Sequence, residues 1–373
     1  MGSPAKILPT DPIKRKAWAS TVYQDSHKAS YYSRMTGKEL SPAVIVRKEN
    51  LQDKGKGDEV TTTLIAKLIG TPLFSGDRAE GRELTMSHAT HTMRIDEMRQ
   101  FVNLGSDIED AKVGHNTRST GRAALAALLK EYIEESITMA LNGARGSGDE
   151  IQHFPTGFSG RPNPLRAPDA AHHFIGDGSK TVETLTSNDK MSLDVINRLV
   201  AKSKTMLGGV SRGKPQRIEK TVVGGEKVHI LAVGPEVMYD IRKDVGDTGW
   251  AQAQRALTTK VGRDAELFKG GAGMFNGVLV DEIDAPVKIG GYGQNANIQA
   301  CRSMFLGANA GAIANGTKRM TDGMGVSLID SSLDHGHEKV IGFEIHFGAD
   351  KLSFNGMDHG SIAVDNAFTP APN

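Results

Sequence analysis

The strongest pattern along the chain lies between residues 116 and 143, NTRSTGRAALAALLKEYIEESITMALNG. Leu125, Leu129, Ile133, Ile137 and Leu141 recur at every fourth position, with Leu128 and Tyr132 beside them. Lys130, Glu131, Glu134 and Glu135 fall mostly elsewhere on the surface, as an amphipathic helix requires. Thr117 or Ser119 can cap the start, and Asn142-Gly143 offers a left-handed stop. A helix of about 25 residues is a rod of ~37 Å, long enough to act as a spine.

A different period precedes it. In DEVTTTLIAKLI (58–69), Val60, Thr62, Leu64, Ala66 and Leu68 alternate with Glu59, Thr61, Thr63 and Lys67, which predicts a strand. The turn-rich TPLFSGDRAEGR follows, then the Thr-rich RELTMSHATHTMRID (82–96). Together they read as a long hairpin with strands of ~12 residues, about 40 Å from end to end. Two strands alone bury too little to be stable in water. With the chain passing directly into the helix, the expected cover for the Val60/Leu64/Leu68 face is another copy of the protein.

Residues 144–190 carry Pro155, Pro162, Pro164 and Pro168 among many glycines and predict a long irregular insertion, a class of loop that is mostly functional or disordered. A second helix is expected at 191–207, capped by Asn188 or Ser192. VHILAVG (228–234) predicts a strand and 235–245 a helix. GVLVDEI, SMFLGANAGAIA, IGFEIHFGADKLSFNG and SIAVDN supply further strands, the last two closing the chain. Helices and strands interleave without a βαβ rhythm, so the expected class is α+β.

Composition narrows the function classes. No run of about 18 apolar residues exists to span a membrane, and the N-terminus has no apolar core of a secretory signal. A single cysteine, Cys301, excludes an internal disulfide and any multi-thiolate metal site; it is expected to be a small core residue. Net charge is +1, but residues 1–57 hold 11 Lys and Arg against 5 Asp and Glu. This basic arm suits contact with an acidic surface, protein or nucleic acid, and is expected to be mobile until assembly orders it.

Candidate chemistry is sparse. FKGGAGMFNGVLVDEI (268–283) places Gly271, Gly273 and Gly277 before a strand rather than a helix, so no helix N-terminus faces a phosphate; a tight turn feeding a buried strand is expected. GGVSRGKP has the spacing of a phosphate loop at Gly208, Gly213 and Lys214. It fails because Pro215 replaces the magnesium-binding hydroxyl residue and the loop follows a helix. DHGHEK (334–339) offers His335 and His337, with Asp334 and Glu338, but no third ligand is evident, so a surface turn is expected. His88 and His91 point to opposite faces of their strand. No Ser/His/Asp order is visible. Catalytic, cofactor-binding and metal residues are therefore expected to be none.

The order of these elements resembles the major capsid proteins of tailed bacteriophages, whose coat fold is shared with herpesviruses, and more specifically a coat family of short-tailed phages. RIDEMRQFV (94–102), LNGARG (141–146), ELFKGGAGMFNGVLVDE (266–282), FLGANAGA (305–312) and FGADKLSFNGMDHGSIAVDNA (347–367) carry the resemblance, from about residue 45 to the end. It implies an N-terminal arm (1–45) and an extended hairpin loop over a neighbouring subunit (46–100). It also implies a peripheral domain (101–214) with the spine helix at 116–142 and the 144–190 insertion, an axial domain (215–335), and closing strands of the peripheral domain (336–373). The implied partners are copies of itself in hexamers and pentamers, packaged double-stranded DNA, and scaffold, portal or cement proteins, without a membrane. The implied location is the virion, after synthesis in the bacterial host cytoplasm. Two alternatives stand: the shell of a bacterial encapsulating nanocompartment on the same fold, and, from a different class, a cytosolic metal- or phosphate-dependent enzyme.

Overall fold

The computed structural model describes residues 30–38, 41–48, 59–65, 70–78, 80–84, 88–106, 117–206, 208, 214–223, 225–244, 249, 252, 273–315 and 326–370. After a 3-10 turn at Tyr31–Met35 come β1 (Thr36–Lys38), β2 (Ile45–Lys48), β3 (Glu59–Ile65), β4 (His88–Arg94) and β5 (Asp96–Ser106). The spine α1 (Thr117–Asn142) follows, then β6 (His173–Ile175), α2 (Leu193–Thr205), β7 (Thr221–Val223) and β8 (Glu226–Val233), with residues 235–244 helical. The remaining strands are β9 (Gly273–Phe275), β10 (Val278–Glu282), β11 (Val287–Tyr292), β12 (Ile298–Leu306), β13 (Gly311–Asn315), β14 (Val326–Leu333), β15 (Glu338–Lys351), β16 (Ser353–Phe354), β17 (Met357–Asp358) and β18 (Ser361–Ala367). The class is α+β, as the interleaving predicts.

Two mixed sheets share one helix. In the first, β15 carries β5 along one edge, and β14 and then β13 along the other; β2 and β1 continue beyond β13. In the second, β12 holds β18 on one edge and β8 and β11 on the other, with β6, β7, β10 and β9 further out. The stripe Leu125, Leu129, Ile133, Ile137 and Leu141 is buried against both. Ile341, Phe343 and Ile345 come from the first sheet, and Ile230, Met304 and Leu306 from the second. Strand alternation sends the intervening residues, Leu231, Val233, Cys301 and Phe305, to the opposite face of the second sheet. There α2 and the 235–244 helix cover them. Ser192 caps α2 by accepting the Val195 amide hydrogen.

α1 ends where the sequence places its stop. Gly143 has φ +66°, and a Cβ there would lie 1.8 Å from the Arg166 carbonyl oxygen, so only glycine fits both the turn and the neighbouring loop. The turn expected before GVLVDEI is Asn276-Gly277, with φ 47° and 76°, which joins β9 to β10 as a two-residue hairpin. Gly270 and Gly271 of that stretch lie outside the described residues.

Four expectations need correction. The arm does not reach residue 45 as a separate segment. Tyr32, Met35, Val44 and Ile45 are buried in the main core, Tyr32 hydrogen-bonds Thr138 at 2.8 Å, and β2 pairs in parallel with β13. Residues 1–29 lie outside the described residues. The chain does not pass directly from hairpin to helix, because β5 intervenes and pairs with β15 from Asp96 to Ser106. Nor does the hairpin lack an internal cover. Ala89 and Met93 are buried with Ala312, Ala314, Leu352 and Phe354, and Val60 and Leu64 pack partly on the same cluster. Finally, Glu135 is buried rather than solvated.

A buried ion pair joins the end of α1 to the second sheet. Arg302 Nε and Nη2 each donate to Asp365 at 2.7 Å, while Nη1 donates at 3.1 Å to the carbonyl of Asn142, the last residue of α1. A cation at this end of the helix also matches its dipole. His173 Nε2 lies 2.6 Å from Asp365, and Tyr292 donates to the same carboxylate. Arg302→Met strands a buried carboxylate and is expected to cost roughly 3–5 kcal/mol in urea unfolding; Arg302→Met with Asp365→Asn is expected to lose less than the single change.

Candidate functional site

Several polar side chains anchor the 144–190 insertion to the rest of the chain. The Glu135 carboxylate accepts the amide hydrogens of Gln152 at 2.8 Å and His153 at 3.0 Å. Arg145 donates to the carbonyls of Gly148 and Ile151 at 2.6 Å, Phe154 at 2.8 Å and Gly146 at 3.2 Å. One acid and one base therefore fold the first turn of the loop onto the spine. Asn163 grips the backbone where the hairpin meets β5, accepting from Arg94 N at 2.8 Å and donating to Arg94 O at 2.9 Å.

Farther along, Asp169 accepts from the Asp358 amide at 2.7 Å and meets His172 Nδ1 at 2.8 Å. Burial raises the Asp169 pKa, but its hydrogen bonds from His172 and Asp358 prevail, so the carboxyl sits well below its usual range. Lys351 Nζ pairs with Asp358 at 2.7 Å, and both side chains are buried. The insertion is thus a polar-anchored strap across the spine, the hairpin base and the closing strands. Sequence reasoning missed these anchors. Glu135 left a trace, since it stands on the helical row of Leu128, Tyr132 and Met139; Asn163 and Asp169 left none.

One grouping has the composition of a nucleophilic triad, which corrects the expectation that none exists. Ser353 Oγ is 3.4 Å from His91 Nδ1, and His91 Nε2 is 3.2 Å from Asp350. The separation of 262 residues hides it in the sequence. Its geometry serves structure. Nδ1 lies 3.0 Å from the Ser353 carbonyl oxygen, nearer than Ser353 Oγ at 3.4 Å, so the backbone carbonyl rather than the hydroxyl is its nearer partner. Arg166 donates into Ser353 Oγ at 2.6 Å and into Asp350 at 2.9 Å. The His91 and Asp350 side chains are buried.

The other candidates separate. Val60 and Leu64 share a hairpin face, whereas Leu68 lies outside the described residues. His335 and His337 are exposed in a turn where Asp334 and His335 have φ of 46° and 50°. Of the phosphate-loop residues, Gly213 is outside the described residues, and the next element after Lys214 is strand β7, not a helix. Cys301 is buried, and burial pushes its thiol up to about 12, consistent with an inert core residue. Glu97, Glu344 and His346 bring three ligand atoms within 4.8 Å of one another across β5 and β15. Arg99 already lies 3.4 Å from the Glu97 carboxylate, so a guanidinium competes for that position. None of the described helices is long and apolar enough to cross a membrane.

Residues 10–369 match the family described as Phage capsid protein. The chain aligns with the protein from the capsid of Ralstonia phage GP4 at 30% identity, covering 100% of both chains, with a TM-score of 0.83. The head protein of Helicobacter pylori bacteriophage KHP40 shares the fold at 11% identity, with 91% of each chain covered and a TM-score of 0.64. The protein in the capsid asymmetric unit of cyanophage Pam1 does so at 14% identity, with 90% of this chain and 92% of that one covered and a TM-score of 0.62. No curated protein matches the sequence. The chain belongs to the phage capsid protein family, and it is a major capsid protein, a subunit of a shell.

Titration of the buried groups sets the pH limits of the subunit. Burial of His229 on β8 against the Phe305 ring, with Lys220, Arg217 and Lys204 nearby, lowers its pKa to about 4. A histidine depressed when folded loses stability as pH falls from its unfolded value, about 6.5, to the folded one. The loss is on the order of 3 kcal/mol across that window. Asp365 acts lower: burial raises its pKa, but hydrogen bonds from Arg302 and His173 pull it down to about 2, so its contribution is lost between about pH 4 and 2. Urea midpoints measured from pH 7 to pH 4 are expected to fall less steeply in His229→Gln than in the wild type; an unchanged slope would contradict the assignment.

Proposed function

We propose that copies of this chain assemble as hexamers and pentamers into an icosahedral shell around the double-stranded DNA of a tailed phage. The observation that carries this reading is the family match over residues 10–369, supported by full-length likeness to the GP4 capsid protein. The subunit is made in the bacterial host cytoplasm and functions in the virion. Its work is done by repeated contacts rather than by catalysis; among the described residues, the triad-like grouping holds its histidine on a backbone carbonyl and its serine on Arg166. Symmetric assembly lets weak contacts accumulate. Scaffold, portal and cement proteins are its expected accessory partners.

In this reading the hairpin (46–100) extends from a peripheral domain built on α1, and the axial domain occupies roughly 215–335. The Val60/Leu64/Leu68 face contributes to a subunit contact through what Val60 and Leu64 leave exposed after packing on their own chain. Electron microscopy of the expressed protein is expected to show closed particles or capsomers, and a small discrete oligomer would contradict the shell. Leu64→Asp with Leu68→Asp is expected to give a soluble, folded subunit that forms no closed shell. Normal shells would overturn the contact, and loss of folding would assign the face to the subunit's own core.

A further inference from the structure

A cavity of about 300 Å³ opens between α1, the start of β5 and the insertion strap. Met98, Ala140, Phe154, Phe158, Phe347 and Ala349 give it an apolar wall. That volume is at the lower end of pockets that enclose a small organic molecule, and a mostly apolar wall with a few polar groups is their usual make-up. The charged groups in the wall decide which molecule suits it.

Asp96, Glu97, Arg99, Arg161 and Asp350 all line it. The three acids are engaged. Asp96 accepts the Glu97 amide hydrogen at 2.8 Å, and Glu97 pairs with Arg99 at 3.4 Å. Asp350 receives Arg166 at 2.9 Å and lies 3.2 Å from His91 Nε2. Arg161 differs from its neighbours. Its Nη2 donates to the Met139 sulfur at 3.0 Å, a weak acceptor, and its Nε is buried without a partner. Among the described residues no carboxylate comes within ion-pair distance of it. The guanidinium lies instead over the rings of Phe154 and Phe158, 5.6 and 5.9 Å from their centres. Burial, and then the like charge of Arg145, lowers its pKa. A guanidinium still keeps its proton, so Arg161 is a partly desolvated cation with no anion of its own chain beside it, an arrangement that costs free energy.

We infer that this cavity binds a small organic carboxylate with an apolar body, its carboxylate on Arg161 and its body against Phe154, Phe158 and Met98. Nη1, which makes no hydrogen bond, is the donor left for the carboxylate. A charge-assisted bond in a partly dry cavity is stronger than the same pair on the surface. Three carboxylates in the same wall repel a second negative charge, so a monoanion fits better than a phosphate dianion. A neutral apolar molecule would leave Arg161 without an anion. Because α1, β5 and the strap each contribute to the wall, an occupant ties them together and stabilises the folded subunit by mass action. The cavity lies within one subunit, so the inference does not depend on the shell reading.

Phenylpropionate titrated into the free subunit, followed by the methyl NMR signals of Met98, Ala140 and Ala349, reads the site. Saturable shifts at these methyls and a higher urea midpoint are expected. Phenylpropanol, the same body without the charge, is expected to bind at least about tenfold more weakly. Arg161→Gln is expected to bring phenylpropionate down to the affinity of the alcohol. Ala349→Leu, which fills the cavity and keeps the guanidinium, provides a second variant; it is expected to abolish the shifts at Met98 and Ala140. The assignment is overturned by the absence of a saturable shift, by equal affinity for acid and alcohol, or by unchanged binding in either variant. Tighter binding of phenyl phosphate would overturn the monoanion. Tighter binding of a peptide ending in phenylalanine would assign the site to a protein C-terminus and overturn the small-molecule reading.

Discussion

The apolar stripe of α1 is the constraint from which the architecture follows. Five large aliphatic side chains at fourfold spacing need a dry partner, and neither sheet covers them alone. Phe343 and Ile345 approach from one sheet, Met304 and Leu306 from the other, within a single cluster. Burying each such side chain contributes about 1.5–3 kcal/mol, so losing either sheet exposes part of the same stripe. Arg302 adds direction to this adhesion. By holding the last carbonyl of α1 and the Asp365 carboxylate together, it sets where the helix ends relative to the second sheet.

Around that frame the polar chemistry is spent on fixing loops. Glu135, Arg145 and Asp169 satisfy backbone groups of an insertion that has little regular structure of its own, and Asn163 ties it to the backbone of Arg94. A loop anchored through buried charged hydrogen bonds costs more to displace than one held by surface pairs. Asn163 is important because its two bonds straddle Arg94, the residue at which the hairpin joins β5. The strap therefore fixes the root of the hairpin, whose tip reaches away from the body. A root fixed in this way sets the direction in which the hairpin leaves the body.

The parts legible in the sequence were those written in a local period. The α1 stripe, the alternation of β3, the Gly143 stop and the Asn276-Gly277 turn region follow from spacing within a few residues. So does the expectation that Cys301 is core. The pairing of β5 with β15 was hidden, because their partners are more than 200 positions apart and Asp96–Ser106 lacks clean alternation. The His91–Asp350–Ser353–Arg166 knot was hidden for the same reason. The cover over the hairpin was misassigned because Leu352 and Phe354 arrive from the far end of the chain. The coat-protein class was legible because it depends on the order of many elements, which a linear reading preserves. The contact residues were less so, because a surface for another copy has no period of its own.

The central claim is that one helix unites two sheets into a single cooperative unit. Native-state hydrogen exchange of the free subunit, followed residue by residue in increasing urea, tests it most directly. The account predicts that amides of α1, of β15 in the first sheet and of β12 and β18 in the second exchange through one common opening, with the same free energy and the same urea dependence. Two separate opening energies, one for each sheet, with α1 following only one of them, would contradict it.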